Sequence, residues 1–462
     1  MRHIRRTDSL EEILTNLGVS IKPTILSCTI LVLSVTNWTI ETDFNELHYP
    51  IFQCQQGLDT SSTTLLRYLF SMAAAFGGLI FGMIADIRGR IGTLRFSIFI
   101  ALYFRIFAMA LSTDSFWQQL GSKLVIQFAL GGSLIVSLLC LVETLPSNVQ
   151  QKLILFSIAL GLLLGNALVY SGNYHIHRVS LKTILQLILN VVLLFVTFMV
   201  GETIRYLKTS GDFNSVVDKL LEIAKSNKQI LPKKLNLRYK NCQFGNLTSI
   251  FTKKPLYIIV FALLMAITLI NNVILYQIYF TSILPMSYNL FKFDNTTLTS
   301  QPDCSSYNGI TIEQYPSFFL PLILWQTIFM NAAVGFMVVF KKPLLLLVII
   351  QSSVTSLTIA FSVLSVLSQT EACYIILSVA CKLTIVGPWI VLVFVTDLYQ
   401  THYRGSGLGF INFAGTLFSI ILMMVFWSWL DFDYRLSMIV LASLSAFSCF
   451  LVCLCPTKSL HN

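Results

Sequence analysis

Charged residues follow the second long apolar run of the chain at a spacing that favours ion pairing. Gly78 and Gly82 lie four residues apart, so a helix places both on one face and allows a second helix to approach closely. Asp86 continues that face, and Arg88 and Arg90 follow. A carboxylate here can bind the N-terminus of a facing helix, whose dipole is positive. Two spaced glycines alone are more often ordinary packing, but the complete string predicts a charged contact.

Long apolar stretches make up most of the chain and must position these charges. A helix needs roughly 20 apolar residues to cross about 30 Å of hydrocarbon. Runs such as Leu344 to Ile350 lack the alternation of barrel strands, so helices are favoured. The composition agrees, with 55% hydrophobic and 11% charged residues. About twelve spans are predicted, at 20–40, 66–85, 93–112, 120–142, 152–170, 180–200, 256–281, 317–340, 343–367, 371–396, 407–430 and 435–455.

The formal net charge of +10 does not indicate nucleic-acid binding, because the basic residues lie between the spans. Most Lys and Arg residues fall on the side of the N-terminus. The positive-inside rule therefore predicts that both termini are cytoplasmic. No nucleophile–base pair, phosphate loop or metal-binding spacing is found in the sequence, so we expect no enzyme activity, cofactor or metal.

Polar segments divide the predicted spans. We expect an N-terminal six-helix bundle at 1–200, a cytoplasmic linker at 201–254 and a C-terminal six-helix bundle at 255–462. The linker is basic and is interpreted as a solvated segment under anionic lipid, in which Phe213 to Ser226 has helical periodicity. The outer loop after the first span is expected to hold about 25 residues. A second outer loop contains Asn295 in a glycosylation motif.

Several segments resemble motifs of the major facilitator superfamily. The string from Gly78 to Arg90 is similar to the signature that follows helix 2 in that superfamily. Asp397–Arg404 resembles the acid-Leu-Tyr-Pro-Thr-x-x-Arg signature of its organic cation, organic anion and carnitine transporter branch, with Gln400 in place of the proline. Gly201–Leu207 resembles the branch motif after helix 6, and Glu143 fits a further one. The resemblance implies an all-α integral membrane protein with the major facilitator fold.

The charges of these motifs form one set. We expect them to make ion pairs that close an inner gate when the protein faces out and that separate when it faces in. Isolated surface pairs are worth about 0–1 kcal/mol each, but a network can bias two near-balanced states. The alternative is that the charges only fix topology and cap helices. The set consists of Asp86, Arg88, Arg90, Glu143, Glu202, Arg205, Asp397 and Arg404.

Two cations fall inside predicted spans. Arg105 and Lys382 are expensive there, so each is expected to line a polar cavity or, for Arg105 above all, to snorkel or pair with an acid. Thr416 lies where anion transporters of the resembled branch carry Arg and cation transporters carry Asp. No acid is predicted deep in a span, which favours facilitated diffusion or exchange over proton coupling. The candidate solute-binding residues are Arg105, Lys382, Thr416, Asn166, Gln326 and Asn412.

The sequence therefore predicts a membrane protein, located in the plasma membrane, that moves a small organic ion or zwitterion by alternating access. Its expected partners are that solute and the lipid bilayer. The alternative is a non-transporting relative that acts as a binding or scaffold protein. Replaced motif positions such as Gln400 favour the alternative, whereas the retained charges of the motifs oppose it.

Overall fold

The computed structural model describes most of the chain. The residues described are 10–56, 60–110, 116–175, 179–229, 255–290, 343–366, 370–396, 399–430 and 434–455, with a few positions between 328 and 339. Predicted sites at Asn295, Gln326 and Asp397 lie outside them, and the side chain of Lys382 does too.

Helices account for all the regular elements among the described residues. They are α1 Leu10–Leu17, α2 Ile21–Gln56, α3 Thr60–Arg88, α4 Arg90–Ala110, α5 Phe116–Thr144, α6 Ser147–His175, α7 Val179–Phe198, α8 Ile204–Ser210, α9 Phe213–Ser226, α10 Pro255–Leu290, α11 Pro343–Val366, α12 Thr370–Val395, α13 Arg404–Leu430 and α14 Tyr434–Cys453. A 3₁₀ turn, Thr401–Tyr403, leads into α13. Gly89 separates α3 from α4 with a φ of +105°, a conformation that favours glycine.

Many of these helices are suited to a bilayer by length and composition. Seven in the described part qualify as spans: Ile21–Thr42, Leu65–Arg88, Arg90–Ala110, Trp117–Thr144, Val149–Val169, Leu256–Val273 and Thr401–Met424. Shorter apolar helices occupy Thr183–Phe198, Leu345–Ala360, Leu383–Val395 and Ile439–Val452. These positions agree with the predicted spans, and the predicted span 317–340 lies mostly outside the described residues. The expectation of an all-α membrane protein is confirmed.

Packing divides the helices into two sets. In the first, α5 packs on α2, α3 and α4, and α6 packs on α2. In the second, α10 packs on α12 and α13, and α11 packs on α12 and α14. The most extensive contact between the sets joins α3 to α13. Helix α3 carries Gly78, Gly82 and Asp86, and helix α13 begins at Arg404.

The helical segment predicted at Phe213 to Ser226 is confirmed as α9. It is not an isolated solvated linker, however, and that interpretation is wrong for this part of the segment. Val216 and Leu220 on α9 are fully buried in a small apolar cluster with residues of α1 and α8. The amphipathic faces of α1 and α9 cover each other, which removes apolar surface from water.

Helix α2 changes two expectations from the sequence. The outer loop expected after residue 40 is largely helical, because α2 continues without interruption to Gln56. Glu41 therefore lies within a candidate span, and its side chain is buried. The sequence did not predict this buried acid, because the predicted span ended at residue 40, one residue before Glu41; Glu41 lies at the end of the candidate span.

Candidate functional site: a buried charge network between α3, α5 and α13

Asp86 caps the N-terminus of α13. Its carboxylate accepts hydrogen bonds from Gly405 N at 3.1 Å, from Ser406 N at 2.7 Å and from Ser406 Oγ at 2.7 Å. The side chain is fully buried. The prediction that this acid meets the N-terminus of a facing helix is confirmed, and the contact combines the helix dipole with charge-assisted hydrogen bonds.

Glycine makes this contact possible. A Cβ atom at Gly82 would lie 2.4 Å from the carbonyl oxygen of Gly405, and one at Gly405 would lie 2.4 Å from that of Gly82. One turn further along, a Cβ at Gly409 would lie 2.5 Å from the carbonyl oxygen of Gly78. The backbones of α3 and α13 touch at both levels, so Gly78 and Gly82 both lie in the close helix contact that their spacing predicted.

Arg90 ties Asp86 to α5. Its Nε donates to Glu143 Oε2 at 2.9 Å and its Nη2 donates to Glu143 Oε1 at 2.8 Å, a two-pronged pair of the strong kind. Nη2 also lies 3.2 Å from Asp86 Oδ1 and donates to the carbonyl oxygen of Thr401 at 2.6 Å. Arg90 is fully buried. One guanidinium therefore joins α4 and α5 of the first set to the turn that begins α13.

Glu202 and Thr203 close the network from the segment after α7. Glu202 accepts from the backbone N–H groups of Arg90, Ile91 and Gly92 at 2.9, 3.0 and 3.1 Å, which caps the N-terminus of α4. Thr203 Oγ1 donates to Glu143 Oε2 at 2.5 Å. The position of Arg90 is thus fixed through its own backbone as well as its side chain.

One aromatic residue, Tyr206, packs against Arg90. The Tyr206 ring lies 4.7 Å from the guanidinium carbon of Arg90, within the range of a cation–π contact. Its hydroxyl donates to the carbonyl oxygen of Ile87 at 3.1 Å. Burial raises the pKa of Tyr206 above its ordinary value.

The remaining predicted gate residues are placed differently. Arg404 Nη1 lies 4.0 Å from Glu143 Oε1, and its Nε donates to the carbonyl oxygen of Tyr399 at 3.2 Å. Arg205 pairs with Glu11 of α1 and also donates to the carbonyl oxygen of Val142. Arg88 ends α3 with its side chain exposed.

Arg105 is paired with an acid. Its Nη2 lies 2.9 Å from Glu41 Oε2, and Gln186 Nε2 donates to the same oxygen at 3.1 Å. All three side chains are buried. The expectation that Arg105 pairs with an acid therefore agrees with the structure.

The other candidate solute residues that the structure describes lie on α6 and α13. Asn412 and Thr416 lie one helical turn apart on α13, and Thr416 Oγ1 donates to the carbonyl oxygen of Asn412 at 2.8 Å. The Asn412 amide faces α3, since a Cβ at Gly78 would lie 3.4 Å from its nitrogen. Asn166 is buried on α6.

Solved structures similar to this one show the fold. The chain aligns over 93% of its length with 94% of the "proton:xylose symporter XylE bound to 6-bromo-6-deoxy-D-glucose", at 15% identity and a TM-score of 0.64. It aligns over 92% with 95% of a "partially occluded inward open conformation" of XylE from E. coli, at 12% and 0.62. It also aligns over 94% with 99% of FucP in the outward conformation, at 11% and 0.61. The fold is that of the major facilitator superfamily.

A family comparison gives the assignment. Residues 27–293, more than half of the chain, match the model of the family described as "Sugar (and other) transporter". The chain belongs to this family, and it is an integral membrane transporter rather than an enzyme. No curated protein matches it by sequence. The expected superfamily is confirmed, whereas the narrower organic-ion branch stays a prediction.

Sequence reasoning missed several residues of these sites. Glu11, Thr203, Tyr206 and Ser406 each contribute a contact to the network or its neighbours. Ser406 had a signal, because Ser and Gly residues at the start of a helix often contact a capping acid. Thr203 and Tyr206 lie within the Gly201–Leu207 string that resembles a branch motif, but their roles were not predicted, and the pairing of Glu11 had no signal because its partner lies far away in the sequence.

Proposed function

We propose that the protein moves a small organic solute across a membrane by alternating access, with bundles at 1–200 and 255–462 and a gate at the cytoplasmic end. The observation that carries the proposal is the Arg90 junction. Arg90 binds Glu143 and Asp86 on its own side and the Thr401 carbonyl on the other. A contact of this kind between two helix sets is what a closed gate requires.

The chemistry of the gate suits a reversible element. Buried ion pairs gain Coulomb energy but lose hydration, so the net free energy of closing is small compared with the individual contacts. When the end opens, water replaces the lost partners of Asp86 and Arg90. The dipole contact between Asp86 and α13 forms only when Gly82 and Gly405 are in contact, which couples backbone distance to charge pairing.

The solute class rests on the charges that remain. Arg105 is neutralised by Glu41, so it gives less support to an anionic solute than the sequence indicated. Zwitterionic and neutral solutes fit at least as well, and the similar XylE structure is described with a bromodeoxyglucose bound. We infer a small organic solute whose test panel includes sugars as well as organic ions.

The energy source also needs revision. Facilitated diffusion or exchange was favoured because no deep acid was expected. Glu41 is a buried carboxylate in a candidate span, so proton coupling is to be tested beside exchange, and XylE is described as a proton symporter.

Uptake in cells tests the proposal. Labelled sugars, organic anions, cations and carnitine-like zwitterions are offered to cells that express the wild type, Arg90→Ala or Asp397→Ala. We expect uptake of at least one class by the wild type, and loss in both variants at unchanged surface expression. Lys225→Ala is the control, because Lys225 is an exposed cation on α9 and does not belong to the predicted gate set.

Two results would contradict the proposal. Normal uptake by both Arg90→Ala and Asp397→Ala would reject the gate. Silent uptake across the panel, with normal surface delivery of the wild type, would favour the binding or scaffold alternative.

A further inference from the structure

We propose that the N-terminal helix α1 is a clasp that holds the gate closed and must release when the gate opens. This inference rests on the proposed gate and adds its regulation by a segment outside the candidate spans. Its central element is the pair formed by Glu11 and Arg205, two side chains that join α1 to the first turn of α8.

The helix α1 depends on docking for its structure. It has eight residues, and isolated helices shorter than about 12–15 residues are marginal in water. Its apolar face is buried against α8 and α9, with no more than 4% of any of these side chains exposed: Leu10, Ile13, Leu14 and Leu17. Undocking exposes this face and removes what stabilises the helix, so α1 has two discrete states, docked and released.

Polar contacts fix the docked position. Arg205 donates from Nε to Glu11 Oε1 and from Nη2 to Glu11 Oε2, both at 2.8 Å. At the other end of α1, Asn227 Nδ2 donates to the carbonyl oxygens of Leu17 at 2.6 Å and Val19 at 3.3 Å. Asn227, which follows α9, therefore binds the last carbonyl of α1 and a carbonyl of the connection to α2.

The clasp reaches the gate through Arg205. Besides Glu11, this guanidinium binds the carbonyl oxygen of Val142, the residue that precedes Glu143. Glu143 is the acid that holds Arg90 at two points. Arg205 is 4% exposed, so a loss of Glu11 leaves a buried cation with fewer partners and favours a rearrangement at this turn of α5.

A second connection runs through α9. Lys219 donates to the carbonyl oxygen of Glu202, whose carboxylate caps α4 at Arg90. Burial lowers the pKa of Lys219. Docking of α1 on α9 therefore supports the gate from both sides, through α5 and through the cap of α4. Only three residues separate α1 from α2, so movement of the clasp is passed directly to a candidate span.

Cysteine accessibility measures the closed state. Leu408 is fully buried on α13, near the contact with α3. The reporter Leu408→Cys is placed in the full chain, and its alkylation by a membrane-impermeant reagent is followed by peptide mass spectrometry in inside-out vesicles. The clasp variants are Glu11→Arg, Arg205→Glu and the two together. Lys225→Glu is the control, because it changes an exposed charge on the outer face of α9.

We expect roughly tenfold faster labelling in each single variant, which corresponds to about 1.4 kcal/mol. The exchanged pair should return only part of the way to the wild-type rate, because it restores the opposite charges but not the hydrogen bond to the Val142 carbonyl oxygen. Arg90→Ala is measured in parallel. If Arg90→Ala leaves labelling unchanged, the gate itself is wrong. If Arg90→Ala opens the reporter site and Glu11→Arg does not, the gate stands and the clasp is rejected.

Hydrogen exchange supplies a second test that needs no change in the clasp. In Gly82→Ala, which disfavours the closed contact, amides of residues 10–17 should exchange faster than in the wild type. Unchanged protection of α1 in a variant whose reporter site is open would overturn the inference, because the clasp would then stay docked on an open gate.

Discussion

The substitution Gly82→Ala addresses the contact on which the closed gate depends. An alanine Cβ would lie 2.4 Å from the carbonyl oxygen of Gly405 and 3.0 Å from its carbonyl carbon. Ordinary carbon–oxygen contacts need about 3.4 Å, so α3 and α13 must separate by about 1 Å at this level. Backbone rather than a flexible side chain blocks the new atom, so local adjustment does not relieve it.

The cost follows from the bonds that this separation stretches. Asp86 holds Gly405 and Ser406 by three hydrogen bonds of 2.7–3.1 Å. Hydrogen bonds to a charged group contribute about 1.5–3 kcal/mol each. If two of the three are lost, the closed state is weakened by about 3–6 kcal/mol. A shift of about 5.5 kcal/mol moves a two-state equilibrium from 99:1 to 1:99.

The assay is alkylation of Leu408→Cys from the cytoplasmic side, combined with uptake of the solute found in the panel. Gly82→Ala should label at least about a hundredfold faster, since about 1.4 kcal/mol corresponds to a factor of ten. The matched control is Gly92→Ala, because a Cβ at Gly92 meets no atom within 4 Å.

Unchanged labelling in a folded Gly82→Ala variant would refute this reasoning. Gly131→Ala is a control for general destabilisation by a crowded glycine position. Its Cβ would lie 2.0 Å from the carbonyl oxygen of Ala74, so the clash falls within the first helix set and not between the two sets. That variant should lower the thermal unfolding temperature. Gly82→Ala should instead change accessibility more than it changes unfolding.

Three further outcomes are expected. Arg105→Met removes the cation that lies 2.9 Å from the buried Glu41 carboxylate and should cost about 3–5 kcal/mol of stability, measured as a lower thermal unfolding temperature in detergent. Asp212 caps α9 through Ser215, and these hydrogen bonds lower its pKa. Its stabilisation of α9 is therefore present above the ordinary value of about 3.9 and is lost as the pH falls through the lowered pKa; amide exchange of Asp212→Asn should differ from the wild type at pH 7 and converge with it in acid. Asn295 should carry a glycan in cells, so Asn295→Gln should abolish the gel shift produced by enzymatic deglycosylation; a shift that is instead abolished by Asn246→Gln would contradict the proposed orientation.

The sequence predicted the local elements well, because their signals are local. Apolar length set most of the spans, and the 3.6-residue period placed the helix at Phe213 to Ser226. The glycines at 78 and 82 with Asp86 predicted a close helix contact and a dipole-capping acid, and both are present. Each of these inferences needs only residues within one or two helical turns of each other.

Long-range partners were beyond the sequence. The acid that neutralises Arg105 is 64 positions away on another helix, and a loop was expected to begin where Glu41 lies. Glu11 and Arg205 are separated by 194 positions, so neither segment by itself predicts that these two side chains form an ion pair. The linker interpretation failed for the same reason, because the partner of the apolar face of α9 is the N-terminal helix.

The sequence by itself determined that this chain is helical, embedded in lipid and provided with a charged string after its second span. The bilayer imposes those features, since unpaired backbone groups and unpaired charges are costly in hydrocarbon. Only the tertiary structure decided which charge meets which, because a partner depends on the packing of helices that the chain order leaves open. That packing assigned Asp86 to the start of α13, Arg90 to Glu143 and Arg205 to the N-terminal helix.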